Sequence, residues 1–141
     1  MSLICSTIGR KIVMGICGLI WAGFVFVHMA GNLLIFVGPE AYNKYSYGIT
    51  SNKILLYGAE SVLLIALILH VVLGLQLFAR SRKANAGKYA IQPNREKRAT
   101  VASRTMAYHG TIGLFFSIYH LITFKYGPEY SVNYNRVEMR D

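Results

Sequence analysis

Three long apolar runs constrain the fold of this chain more than any other feature. They cover residues 12–37, 54–79 and 105–124. A helix of about 20 residues rises about 30 Å, which is the thickness of the hydrocarbon core of a bilayer. Because backbone polar groups in lipid must bond within their own segment, each run is expected to be helical. The sequence therefore predicts an all-α transmembrane helical bundle with three spans, formed by residues 1–141 as one domain.

Composition favours a membrane protein over a soluble one. Of the 141 residues, 54% are apolar and 15% are charged, whereas soluble domains carry about 25% charged residues. The first apolar run is longer than the core of a secretory signal, about 7–15 residues, so it is expected to be a membrane span. Cys5 and Cys17 fit no metal or redox spacing and are interpreted as unpaired thiols.

Basic residues predict the orientation of the spans. Ten of the fifteen Lys and Arg residues fall on one side: Arg10, Lys11, Arg80, Arg82, Lys83, Lys88, Arg95, Lys97, Arg98 and Arg104. The positive-inside rule then places the N-terminus and the basic loop, residues 80–104, in the cytoplasm, with the chain in the cell membrane. The charge of this loop suits anionic lipid headgroups and an acidic docking surface, and no nucleic-acid partner is expected.

All four histidines fall within the apolar runs. An ionisable residue in a membrane span is costly and is a functional candidate by default, although a single histidine can also be structural. Measured from the middle of each run, His28 lies about 5 Å toward the outside and His70 about 5 Å toward the cytoplasm. His109 and His120 lie about 8 Å to the inner and outer sides. The sequence thus predicts an outer layer, His28 with His120, and an inner layer, His70 with His109.

Two histidines on different helices at one depth can bind a haem iron from both sides. Gly31, Gly74 and Gly113 each share a helix face with a histidine and leave room for a flat macrocycle. The alternative role for these glycines is close helix packing, which is the role expected for Gly15 and Gly18. A structural zinc ion is disfavoured because it needs four close ligands.

Several segments carry a family resemblance. Residues 27–36 have the sequence VHMAGNLLIF, residues 38–43 GPEAYN, residues 69–74 LHVVLG, and the third run contains MAY at 106–108 and IYHLITF at 118–124. This pattern resembles the di-haem cytochrome b membrane-anchor subunit of the succinate dehydrogenase/fumarate reductase family, over nearly the whole chain. The combination of His–x–x–Gly–Asn with Gly–Pro–Glu–Ala is more specific than any lone histidine.

The resemblance implies a membrane anchor for a flavoprotein and an iron–sulfur subunit on the cytoplasmic side. Such an anchor is not catalytic alone, and it passes electrons between the iron–sulfur subunit and a membrane quinone, menaquinone or ubiquinone, through one or two haem b groups. By the family pattern His28 and His120 would bind the iron of the outer haem. His70 would supply one ligand of the inner haem.

The chain departs from the family pattern after its third run. The family has five spans, and the fourth carries the partner of the residue that matches His70. The expectation is an N-terminal fragment that lacks two C-terminal helices. The alternative is a rewired inner site in which His109 substitutes for the missing ligand.

Glu60 is the only acid inside a predicted span. It could relay a quinone proton on the outer side, or it could be a glutamate that faces a polar gap in the protein. Glu40 and Lys44, in the predicted outer loop, are weaker candidates for the same role.

Two other functions remain open from the sequence. One is the cytochrome b subunit of another quinone-linked dehydrogenase, such as formate dehydrogenase or hydrogenase. The other is a haemless membrane scaffold or transporter piece with structural histidines. A visible spectrum distinguishes the last from the haem proteins, and the co-purifying subunits distinguish the dehydrogenases.

Overall fold

The computed structural model describes residues 6–84 and 100–128, together with the backbone of residues 131–134 and 137–140. Its helices are α1 (Thr7–Asn32), α2 (Pro39–Thr50), α3 (Lys53–Ala84) and α4 (Val101–His120). A short antiparallel hairpin follows, formed by β1 (Ser131–Tyr134) and β2 (Val137–Arg140). The chain divides into two units, Met1–Ala86 and Gly87–Asp141, and each is described by itself. The predicted helical architecture is confirmed, while the hairpin was not predicted.

Helix α1 begins five residues before the apolar run that predicted it. The hydroxyl of Ser6 accepts a hydrogen bond from the backbone N–H of Gly9 at 2.9 Å, which satisfies a donor that the first turn of a helix leaves unpaired. A 3-10 helix, Leu33–Phe36, continues α1. Gly38 then has φ 145°, a conformation that glycine adopts readily because it lacks a Cβ. The chain can therefore turn directly into the next helix.

Helix α2 occupies the segment that was expected to be an outer loop, and that expectation was wrong. Pro39 is its first residue, a position where the missing N–H of proline has no cost. Glu40 lies in the first turn, where a negative charge complements the positive end of the helix dipole. Glu40 and Lys44 are therefore both exposed helical residues.

The predicted basic loop, residues 80–104, was too long, because α3 and α4 both extend into it. The side-chain oxygen of Asn52 accepts from the backbone N–H of Leu55 at 3.1 Å, and α3 then continues for 32 residues, about 48 Å. Its last residues include Arg80, Arg82 and Lys83. Arg104 lies near the start of α4, where the hydroxyl of Thr100 accepts from the backbone N–H of Ser103 at 3.2 Å. Residues 85–99 lie outside the described part of the chain, and with them Lys88, Arg95, Lys97 and Arg98.

Two helical segments are long and apolar enough to cross a membrane: Thr7–Phe36 and Lys53–Ala84. Only 6% of the apolar window of each is buried, whereas a core helix of a soluble protein would be mostly covered. Cys17 and Ala66 are the only buried hydrophobic side chains among the described residues. Helix α4, which includes Arg104 and two histidines, is not among the segments that are apolar enough, so the third span stays a prediction.

Candidate functional site

Helices α1 and α3 pack as an antiparallel pair with a defined register. The ring Nδ1 of His70 lies 2.9 Å from the carbonyl oxygen of Met14. The indole Nε1 of Trp21 donates to the carbonyl oxygen of Leu63 at 3.0 Å. The segment of α1 from Met14 to Trp21 therefore runs alongside the segment of α3 from His70 back to Leu63. Both contacts fit one register over about two turns of each helix, and this register gives the relative position of each candidate residue along the axis of the pair, here called its level.

The ring of His70 is oriented by helix α1. A carbonyl oxygen can only accept a hydrogen bond, so Nδ1 of His70 carries the proton that bonds Met14. In the neutral ring Nε2 then has the lone pair, which is the atom a metal or a proton donor would bind. The side chain is half-buried. His70 is therefore held in one tautomer by the helix it packs against.

His28 has a different environment on the exposed side of α1. Its ring stacks on the ring of Phe24, with centroids 5.3 Å apart and planes 25° from parallel. The amide nitrogen of Asn32 donates to the backbone carbonyl of His28 at 2.8 Å and lies 3.4 Å from its Nε2. An amide nitrogen only donates, so this longer contact is a hydrogen bond only when Nε2 of His28 is unprotonated. Phe24 was not predicted as a site residue, although its spacing of four residues from His28 places the two on one helix face.

The register separates His28 and His70 into two levels. The ring of His70 lies beside Gly18, and His28 lies ten residues further along α1, about 15 Å at 1.5 Å per residue. The depths estimated from the apolar runs gave a shorter spacing, about 10 Å, because the midpoints of the two runs do not face each other.

Glu60 lies near the level of His28. It precedes Leu63 on α3 by three residues, and Leu63 is bonded to Trp21, so Glu60 is level with Phe24. The remaining distance to the level of His28 is four residues of α1, about 6 Å along the axis. The Glu60 side chain is half-buried. The one acid predicted inside a span therefore lies close to His28 along the axis of this helix pair.

The histidines of α4 differ in their surroundings. His120 is half-buried between two aromatic rings, with Phe116 5.6 Å and Phe124 4.9 Å from it between centroids. It is the last residue of α4, and the π-helical segment Leu121–Lys125 follows it directly. Such segments occur mostly as single turns and often at functional sites. His109 is exposed and lies eleven residues earlier, about 16.5 Å along the helix.

The glycines that were expected to face a macrocycle have three different environments. A Cβ on Gly31 would collide with the ring of Tyr45 from α2, so that face of α1 is covered. A Cβ on Gly74 would lie 3.8 Å from the sulfur of Met14. Gly113 has open space. Gly31 and Gly74 thus take part in helix packing within their unit, and a role of any of the three beside haem stays a prediction.

Basic side chains concentrate at one end of the α1–α3 pair. This end has Arg10, Lys11, Arg80, Arg82 and Lys83, whereas Lys44 and Lys53 lie toward the other. The guanidinium of Arg10 donates to the side-chain oxygen of Gln76 at 3.0 Å and ties the two helices together there. The charge asymmetry that predicted the orientation is therefore present on the helices of this unit.

Within the described residues, no three His, Cys, Asp or Glu side chains come together as a metal cluster. A haem iron bound by two histidines does not need such a cluster. Comparison with protein-family models, curated proteins and solved structures gives no match to this chain.

Proposed function

We propose that this chain is a haem b-containing membrane anchor of a succinate dehydrogenase or fumarate reductase. In this role it passes electrons between an iron–sulfur subunit and a membrane quinone, menaquinone or ubiquinone. The observation that carries the proposal is the register of α1 and α3. It brings an apolar helix pair together with histidines at two levels and one acid near the outer level.

The residues of this chain fit the ligation of haem iron. Nε2 of His70 has its lone pair because Nδ1 donates to the Met14 carbonyl. Nε2 of His28 lies 3.4 Å from the Asn32 amide nitrogen, a contact long enough to be replaced at little cost. Haem b would supply a carrier that takes up and releases one electron at a time. We assign His28 and His120 to the outer haem and His70 to the inner haem, as the family pattern implies.

Glu60 is proposed to carry a proton for quinone chemistry near the outer level. A quinone gains two electrons and two protons when it becomes a quinol, so a quinone site needs a proton path as well as an electron path. A carboxylate about 6 Å in depth from the level of His28 is suited to this role. Glu40 and Lys44 lie on α2 and are exposed, and they remain weaker candidates for this role.

The basic end of the α1–α3 pair is proposed to face the cytoplasm and the soluble subunits. Arginine and lysine accumulate at the cytoplasmic ends of spans, and they also attract acidic lipid headgroups and acidic protein surfaces. The flavoprotein and iron–sulfur subunits would then dock beside the level of His70. His70 would hold the inner haem on the side of the iron–sulfur subunit, where a haem would shorten the electron path.

A haemless membrane scaffold is the second candidate, and one observation favours it. The hydrogen bond from His70 to the Met14 carbonyl is also what a structural histidine makes in a helix interface. The same bond does not explain His28 or His120, whose rings stack on phenylalanine side chains. We therefore favour the haem protein.

Purification from native membranes tests the proposed partners. A C-terminally tagged chain, solubilised in mild detergent, is expected to co-purify with an iron–sulfur subunit and with a subunit that binds flavin, covalently or not. The purified complex is expected to show succinate- or fumarate-linked quinone turnover. Recovery with a molybdenum or nickel enzyme instead would identify another quinone-linked dehydrogenase. Recovery with neither redox subunit, from membranes that contain the intact complex, would contradict the proposal.

A further inference from the structure

Gly18 lies directly beside the ring of His70 in the α1–α3 interface. A Cβ placed on Gly18 would be 3.0 Å from Cε1 of His70 and 3.3 Å from Nδ1. Both distances are shorter than ordinary van der Waals contacts, which begin at about 3.4 Å. With alanine at this position the imidazole would have to move away from α1 by a few tenths of an ångström.

Gly18 is one turn after Met14, whose carbonyl oxygen accepts from His70. That carbonyl points along the helix toward Gly18, because helical C=O groups point toward the C-terminus. To reach it, the imidazole must pass over the position where residue 18 would carry its Cβ. The missing side chain and the hydrogen bond are therefore two parts of one arrangement.

We propose that Gly18 is a positioning residue for His70. By leaving space over the Met14 carbonyl, it keeps the proton on Nδ1 and leaves Nε2 as the binding atom of the ring. Histidines that bind metals commonly donate their other ring N–H to a carbonyl or carboxylate, which fixes the tautomer and the ring orientation. The consequence for haem rests on the proposed function, whereas the tautomer of His70 does not.

Two other glycines of α1 provide matched controls. A Cβ on Gly15 or on Gly23 would meet nothing within 4 Å apart from its own helix. Alanine at either position changes the helix propensity as alanine at position 18 does, without touching His70. A difference between Gly18→Ala and these two variants therefore reports the contact with the ring and not the loss of a glycine.

The first experiment measures the tautomer without haem. The full chain is labelled with 15N-histidine, reconstituted in lipid nanodiscs, and the ring signals of His70 are identified by their loss in His70→Gln. The proposal expects a protonated Nδ1 and an unprotonated Nε2 in the wild-type chain, in Gly15→Ala and in Gly23→Ala. It expects Gly18→Ala to lose this single state and to populate the other tautomer. A protonated Nε2 in the wild type, or an unchanged His70 in Gly18→Ala, would overturn it.

The second experiment measures haem binding in the assembled membrane complex. Loss of an outer hydrogen-bond partner commonly lowers metal affinity by about 10- to 100-fold. Titration of the haem-depleted complex with haem is therefore expected to show a loss of this size at the His70 site in Gly18→Ala, with Gly15→Ala unchanged. Equal affinities in the two variants would overturn the positioning role. If no variant binds haem, the proposed function fails, and the tautomer measurement still decides the role of Gly18.

Discussion

The indole N–H of Trp21 donates to the backbone carbonyl of Leu63 at 3.0 Å and links α1 to α3 two turns away from the bond between His70 and Met14. Two side-chain hydrogen bonds, one from each helix, thus hold the same register. Because apolar contacts between membrane helices are no stronger than contacts with lipid, such directional bonds contribute to the choice of register.

Trp21→Phe is expected to destabilise the helix pair. It keeps an aromatic ring but removes the donor, and interhelical hydrogen bonds in membranes contribute about 0.6 kcal/mol on average. Unfolding in mixed micelles should show a loss of about this size. The exposed Leu19→Ala serves as the control and should change stability less. Equal stability of Trp21→Phe and the wild type would show that the bond does not maintain the register.

Gly31→Ala is expected to disturb the packing of α2 on α1. The new methyl group would occupy the position of the Tyr45 ring, which must swing away. Overpacking costs about 1–3 kcal/mol, and we expect the low end because the collision is with the outer part of one side chain. Gly23→Ala has open space and should not destabilise. In a Tyr45→Ala background the cost of Gly31→Ala should disappear. A cost that persists there would contradict the packing assigned to Tyr45.

The orientation of the helix pair can be measured with single cysteines at the two ends of α3. In a chain with Cys5 and Cys17 replaced by alanine, Ser81→Cys is expected to react with an impermeant maleimide only from the cytoplasmic side. Asn52→Cys is expected to react only from the outside, because positive residues cluster at the Ser81 end. The reverse pattern would refute the orientation, and labelling of both from one side would refute a span by α3.

Replacing His28 or His120 by alanine is expected to remove the same haem. A bis-histidine iron that loses either ligand loses the coordination that holds it in a buried site. His70→Ala should instead affect a haem of different midpoint potential. Redox titration of each variant in the assembled complex distinguishes the haems. If His28→Ala and His120→Ala remove haems of different potential, the assignment of ligands is wrong.

His109→Ala is the matched control in that series and is expected to leave both haems in place. By the proposed assignment His109 binds no haem iron, and its side chain is exposed on α4. Loss of the His70-dependent haem in His109→Ala would support the rewired site instead.

Hydropathy predicted the two apolar helices well but not where they begin and end. Ser6 and Asn52 cap α1 and α3 with their side chains, and each cap lies outside the apolar stretch. The run Gly38-Pro39 was interpreted as the end of a helix, whereas it is also the start of another, because proline suits the first turn. A polar helix such as α2 has no long apolar run and is missed for that reason.

The register of α1 and α3 could not be predicted from the apolar pattern. It depends on where small residues let the two helices approach, and Cys17, Ala66 and Gly18 lie along that contact. Hydropathy treats these positions as equivalent to many others on the same helices. The histidines could be identified as candidates from sequence alone, but the nitrogen that each ring presents depends on contacts such as those of Met14 and Asn32.

A reduced-minus-oxidised visible spectrum shows whether the helix pair binds haem b. It is recorded on membranes that contain the intact complex, with His28→Ala and His70→Ala membranes beside the wild type. We expect a low-spin b-type α band in the wild type that is diminished in each variant. A wild-type spectrum without this band would show that the complex holds no haem b on these histidines.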